Sequence, residues 1–130
     1  MSNRFENKVA IVTGAAGEIG QALIKIMTDE GAKIVAVDHD GAGLAALEKS
    51  YAESGQPILA IQADVSKADA VEKLVKQATN TFGGIDIMVN NAGIAQMGDI
   101  ESCTPAQWQK TLDINLTAVM TGTQKSIPRI

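Results

Sequence analysis

The stretch Thr13-Gly14-Ala15-Ala16-Gly17-Glu18-Ile19-Gly20 is poor in bulky side chains and sits where such a stretch can do chemistry. It follows the apolar run Val9-Ala10-Ile11-Val12. It leads into Ile19, Ala22, Leu23, Ile26 and Met27, spaced as in a helix that buries one face. A helix start presents unpaired N–H groups and the positive end of the helix dipole, and a phosphate reaches them only where no side chain intervenes. Gly14 permits the sharp turn, Ala15 and Ala16 keep the loop low, and Gly20 lets the helix pack tightly on the sheet. Taken alone, such a loop is weak evidence, since some such turns serve only as tight connections. Its place after the first strand turns the reading towards phosphate.

Asp38 strengthens that reading. It lies 18 residues after Gly20, at the end of the run Ile34-Val35-Ala36-Val37 and before His39-Asp40-Gly41. A carboxylate there can accept hydrogen bonds from an adenosine ribose, charge-assisted bonds worth about 1.5–3 kcal/mol. On its own Asp38 also reads as a strand end or a cap for the next helix. The same charge repels a 2′-phosphate, and no Lys or Arg lies in the loop or beside Asp38. The expectation is therefore NAD in preference to NADP. Asp64, in Ala63-Asp64-Val65-Ser66, ends a third run in the same way, with a turn or helix-cap role as its plain alternative.

These residues need a scaffold, and the pattern supplies one. Strands are expected at Val9–Val12, Ile34–Val37, Ile58–Ile61 and Ile85–Val89. The first helix ends at Gly31, and a second, marked by Leu44, Leu47 and Tyr51, closes at Gly55 and Pro57. A third, capped by Ser66, faces inward with Val71, Leu74, Val75, Ala78 and Phe82 and stops at Gly83-Gly84. Thr104-Pro105-Ala106-Gln107 has the form of a capping box with proline at the first helical position. The helix it opens should carry Trp108, Leu112, Leu116, Val119 and Met120 towards a core. Strand–helix alternation with short links predicts an α/β fold, a doubly wound parallel sheet with helices on both faces and right-handed crossovers. All strand ends of such a sheet share one rim, so Gly14, Asp38, Asp64 and Asn90 should surround one crevice.

Composition narrows the class. The 130 residues carry 11 basic and 15 acidic side chains, a net charge of −4, which argues against nucleic acid as a partner. One cysteine, Cys103, excludes an internal disulfide and makes a reducing cytoplasm the default. The apolar run after the N-terminus is too short for a signal peptide or membrane span. No linker, repeat or low-complexity stretch divides residues 1–130, which read as one domain or part of one. No metal site is expected.

Thr13-Gly14-x-x-x-x-Ile19-Gly20, Asp64-Val65, Asn90-Asn91-Ala92-Gly93 and Asp113-Ile114-Asn115 stand in an order and spacing that resemble the short-chain dehydrogenase/reductase family, along the whole chain. The resemblance implies a Rossmann-type fold with strand order 3-2-1-4, continued by further strands beyond residue 130. It places a pyrophosphate on Gly14, Ala16, Gly17, Glu18, Ile19 and Gly20. It places the ribose on Asp38 with His39 beside it, and adenine on Asp64 with Val65 lining its pocket. Asn90, Asn91, Ala92 and Gly93 would shape the floor of the cofactor site, and Asn115 would hold a water in a proton relay. Read without the family, Asn90–Gly93 is an ordinary turn and Asn115 a solvated or helix-capping residue.

The implied activity is NAD-dependent hydride transfer between nicotinamide and an alcohol or ketone substrate. Family members assemble as oligomers through long helices including the one that begins at Pro105, so a homo-oligomer, or pairing with a C-terminal half, is expected. Two departures stand out. Glu18 occupies a position where the family usually has glycine. The family's catalytic Ser and Tyr-x-x-x-Lys belong to a later half, whereas the sole tyrosine here, Tyr51, is followed four positions on by Gly55. Residues 1–130 are therefore expected to recognise the adenosine side and to be inactive alone. The alternative is a non-catalytic dinucleotide-binding module: an engineered fragment, a minimal fold or a regulatory subunit. The glycine loop and Asp38 disfavour a flavodoxin-like signalling domain. Cys103, distant in sequence from the only histidine, His39, reads as inert, and Gln96-Met97-Gly98-Asp99 is placed to touch a substrate.

Overall fold

A computed structural model describes residues 2–96 and 98–130. Four strands, β1 (Val9–Thr13), β2 (Lys33–Asp38), β3 (Leu59–Gln62) and β4 (Ile87–Val89), form one sheet in the order β3-β2-β1-β4. Every pairing is parallel, with Val12 opposite both Ala36 and Val89, and Asp38 opposite Gln62. This is the expected doubly wound α/β arrangement, and it gathers the strand ends on one rim.

Side-chain alternation divides the core into two layers. Ala10, Val12, Ile34 and Ala36 pack against α1 (Glu18–Asp29) and α2 (Gly41–Tyr51) through Ile24, Met27, Leu44 and Leu47. Val9, Ile11, Val35 and Val37 pack against α3 (Ala68–Phe82) through Val71, Leu74, Val75 and Ala78. Covering both faces explains why β1 is buried at every position. Asp40 caps α2 by accepting from Gly43 N at 3.0 Å. Gly31 and Gly83 take left-handed backbone angles after α1 and α3, as their helix-ending positions require.

Several boundaries differ from expectation. β3 begins one residue later, and β4 begins at Ile87, because Ile85 N turns aside to Arg129 O at 3.4 Å while the Asp86 carboxylate accepts from Val9 N at 2.9 Å. Ser66 does not cap α3. Its N–H and hydroxyl both donate to Asp64 Oδ1, at 3.0 and 2.6 Å, and Lys67 precedes the helix without a side-chain cap.

The largest difference follows the capping box, which forms as expected between Thr104 and Gln107. The helix is not uniform. α4 (Pro105–Leu112) passes through a widened π turn at Asp113–Thr117 before α5 (Ala118–Ser126). A π turn adds residues to the turn and rotates everything beyond it. Leu116, Val119 and Met120, in or beyond that turn, consequently face outward; Trp108, before it, is exposed as well, and only Leu112 of the expected set is half-buried. The buried face of α5 is Ala118, Thr121, Gly122 and Ser126, small residues that let the backbone approach α3 and β4. A Cβ at Gly122 would collide with Asn90 Oδ1 and lie 3.0 Å from Met88 Cε. Among the described residues no helix is long and apolar enough to cross a membrane.

Candidate functional site

The glycine turn is stitched to its surroundings by the main chain. Gly14 holds φ +64°, Ala15 N donates to Val37 O at 3.0 Å, and Gly17 N donates to Gly14 O at 3.2 Å. A Cβ on Gly20 would overlap the Gly14 carbonyl oxygen and stand 2.9 Å from Ala15 Cα, so glycine is required for α1 to start this close to the turn. Gly17 is the N-cap of α1 and offers no side-chain cap bond. No N-cap side chain therefore occupies the first-turn N–H groups.

Asp38 sits beside this turn, 9% exposed at the tip of β2. Its Oδ2 accepts from Ala16 N at 2.9 Å and its Oδ1 from Asp40 N at 3.0 Å, with His39 Nδ1 at 3.2 Å from the same oxygen. A carboxylate has about four acceptor directions. Two backbone bonds leave room for ribose hydroxyls, so the residue can be a brace and a receptor together. Asp64, at the end of β3, is held below the usual carboxylate range, first by the Ser66 hydroxyl and then by the Ser66 N–H. All of its recorded bonds fall on Oδ1, which leaves Oδ2 for an incoming donor.

On the other side of the turn, the Thr13 hydroxyl is fully used. It donates to Val89 O at 3.3 Å and accepts from Asn91 N at 2.9 Å and Ala92 N at 3.0 Å. Asn91 Nδ2 donates to Thr13 O at 3.1 Å and Gly14 O at 3.3 Å. These bonds tie β4 to the loop after β1. Thr13 has a positioning role that its sequence position did not disclose.

Together these elements enclose a cleft of about 980 Å³. The glycine-segment positions Gly14, Ala16, Gly17, Glu18, Ile19 and Gly20 line it, with Asp38 and His39 on one flank. Asp64 and Val65 line another flank, and Asn91, Ala92 and Gly93 a third. Ile94 from the loop after β4, Lys110 from α4 and Ile114 from the π turn also line it and were not anticipated. The volume is within the range of small-molecule and cofactor sites.

Two expected members are elsewhere. Asn90 points away from the cleft, donating from Nδ2 to Thr123 Oγ1 at 3.3 Å, because neighbouring residues leaving a strand alternate in direction. Asn115 does not line the cleft. Its Oδ1 accepts from Ile94 N and its Nδ2 donates to Ile94 O, each at 2.8 Å, so its amide fastens the loop after β4 to the π turn. Cys103 donates to Thr104 O at 3.6 Å and is not on the cleft lining. Of the segment expected near a substrate, Met97 lies outside the described residues, and Gln96 and Gly98 are exposed.

The sequence pattern of the short chain dehydrogenases matches residues 8–130. The chain belongs to that family. This short-chain dehydrogenase chain is 37% identical over 121 residues to 3beta-hydroxysteroid dehydrogenase 2 of Eggerthella lenta, covering 92% of the chain and 46% of that relative. Its structure resembles the 3-ketoacyl-(acyl-carrier-protein) reductase of Brucella melitensis complexed with NADH, with TM-score 0.89 and 37% identity over 95% of the chain and 50% of that protein. A short chain dehydrogenase from Burkholderia cenocepacia in complex with NADP is similar at TM-score 0.93 and 32% identity, over 98% and 52% respectively. The chain thus spans about half the length of the relatives it matches. Tyr51, the sole tyrosine of the chain, lies half-buried in α2 against the core and does not line the cleft.

Proposed function

We propose that the protein carrying this chain is an NAD-dependent oxidoreductase acting on an alcohol or ketone, and that residues 1–130 bind the adenosine and pyrophosphate side of the dinucleotide. The observation that carries this is the pairing of Asp38 with Ala16 N at 2.9 Å, which sets a carboxylate at the edge of a side-chain-poor helix start. The residues suit the group. A Cβ at Gly20 would obstruct the turn, α1 starts without a side-chain cap, and Asp38 and Asp64 keep acceptor capacity free. On this reading the glycine turn receives the pyrophosphate, Asp38 the ribose and Asp64 the adenine, while Thr13, Asn91 and Asn115 hold the surrounding loops. A bound nicotinamide supplies the hydride chemistry.

Structural relatives hold either NADH or NADP, so cofactor choice rests on this chain's own residues. Asp38 is nine-tenths buried, and no Lys or Arg adjoins it in sequence. A 2′-phosphate brought against it meets a fixed negative charge. Titration should show NADH binding at least about tenfold tighter than NADPH, a difference of about 1.4 kcal/mol. Equal or tighter NADPH binding overturns the assignment.

Residues 1–130 alone should bind without turning over, because positioned acid–base catalysis needs a group at the reacting atoms and Tyr51 is directed into the core. Turnover by residues 1–130 with no other polypeptide present defeats that part. Assembly with a second copy or a C-terminal half belongs to the same proposal, since Trp108, Leu116 and Met120 are exposed along α4, the π turn and α5.

A further inference from the structure

The cleft has a charge imbalance that dinucleotide binding must overcome. Four carboxylates line it, those of Glu18, Asp38, Asp40 and Asp64, against one lysine, Lys110, and no arginine. The chain carries a net charge of −4, and a pyrophosphate brings two more negative charges. Backbone N–H groups on the glycine turn act at contact distance. They do little to draw an anion through an acidic rim.

Lys110 is placed to do so. It lies on α4 four residues before Ile114, hence on the same face, and both residues line the cleft. The bonds of Asn115 to Ile94 fasten the π turn just beyond to the loop after β4, which fixes that face over the rim. Among the described residues no carboxylate lies within ion-pair distance of Lys110. The acid three positions on, Asp113, instead accepts from Gln109 Nε2 at 2.8 Å. A lysine in the last turn of a helix also suits the helix dipole, but that benefit is the same on any face and does not call for the cleft side.

We propose that Lys110 is the entry group for the dinucleotide, attracting the pyrophosphate into the acid-lined cleft and offsetting the repulsion of its carboxylates. The inference rests on the dinucleotide reading and adds a residue that selects for an anionic ligand. An exposed ammonium on a long stem works over a distance comparable with the Debye length, about 8–10 Å at moderate salt, so its effect falls on the association rate and is screened by salt.

The test is stopped-flow NADH binding to the protein carrying this chain, followed by cofactor fluorescence, at about 0.02 M and about 0.3 M salt. Lys110→Gln should slow association about fivefold at low salt and less than about twofold at high salt, with dissociation little changed. Lys110→Arg should follow the wild type, and adenosine, which has no phosphate, should bind wild type and Lys110→Gln alike. Unchanged association for Lys110→Gln at low salt, or the same slowing at both salts, overturns the proposal while leaving dinucleotide binding in place. Failure of the wild type to bind NADH overturns both.

Discussion

The Asp38 carboxylate and the Ala16 N–H meet at 2.9 Å, so the acid at the end of β2 is also a brace for the turn at the end of β1. On the proposed reading, recognition and local architecture share one side chain. Substituting it separates them only if the replacement still accepts a hydrogen bond.

Asp38→Ala leaves the Ala16 N–H without its partner and should cost about 1–3 kcal/mol of stability, measured by urea denaturation. NADH binding should weaken more than about tenfold. Asp38→Asn keeps one acceptor oxygen but sets its NH2 against the other backbone N–H, so it should retain only part of the stability while its preference moves towards NADPH. A Asp38→Asn variant that still rejects NADPH as strongly as wild type would contradict the electrostatic account.

Glu18 stands in the first turn of α1 and lines the cleft. Its charge suits the helix dipole by about 0.3–1 kcal/mol but opposes a pyrophosphate at the same helix end. Glu18→Gln should lower thermal stability slightly and tighten NADH binding severalfold. Weaker binding would mean that the carboxylate serves the ligand by some other contact.

How much of this was legible beforehand depended on the range of the forces involved. The glycine turn, Asp38 and the parallel α/β sheet follow from local backbone demands and strand–helix alternation, which sequence displays directly, whereas the strand order is implied by the family resemblance. Trp108, Leu116, Val119 and Met120 fit an unbroken helical period, and that period fails where Asp113–Thr117 widens. Nothing in the side-chain pattern announces the widening. Asn115 carried a family role, but its two hydrogen bonds with Ile94 are a contact across 21 positions that spacing does not reveal. Thr13 stood in the motif, but its bonds to Val89, Asn91 and Ala92 are more distant still in sequence, and the place of Lys110 on the cleft was not anticipated.

Gly122 and Asn90 are packed so closely that Gly122→Ala should destabilise by about 1–3 kcal/mol. Pairing it with Asn90→Ala removes the obstructing amide. In a double-mutant cycle followed by denaturation, the pair should cost less than the sum of its parts. Strict additivity would place the strain elsewhere.

Asn115→Ala removes both bonds to Ile94 and should abolish hydrogen-exchange protection of the Ile94 amide. Asn115→Asp keeps the acceptor for Ile94 N but sets a second carboxylate oxygen against Ile94 O, so it should retain more protection than Asn115→Ala and less than wild type. Equal loss in both variants would show that the N–H bond is not what holds the loop.

Glu30 accepts hydrogen bonds from Arg4 and Ser2, which lower its carboxyl to about 2 from an ordinary value of 4.5. A lowered folded-state value means that the contribution is complete above the unfolded value and fades as pH falls towards the folded one. Stability followed by denaturation should therefore drop between about pH 4.5 and pH 2, and Glu30→Gln should flatten that portion of the profile. An unchanged acid slope in Glu30→Gln would detach the ion pair from acid sensitivity.

The saturated Thr13 hydroxyl has a thermodynamic consequence. With its single proton on Val89 O and both lone pairs engaged by Asn91 N and Ala92 N, the hydroxyl holds the ends of β1 and β4 in one relative geometry before any guest arrives. Occupancy then requires little backbone ordering, so more of the gross contact energy survives as affinity, as in any preorganised receptor.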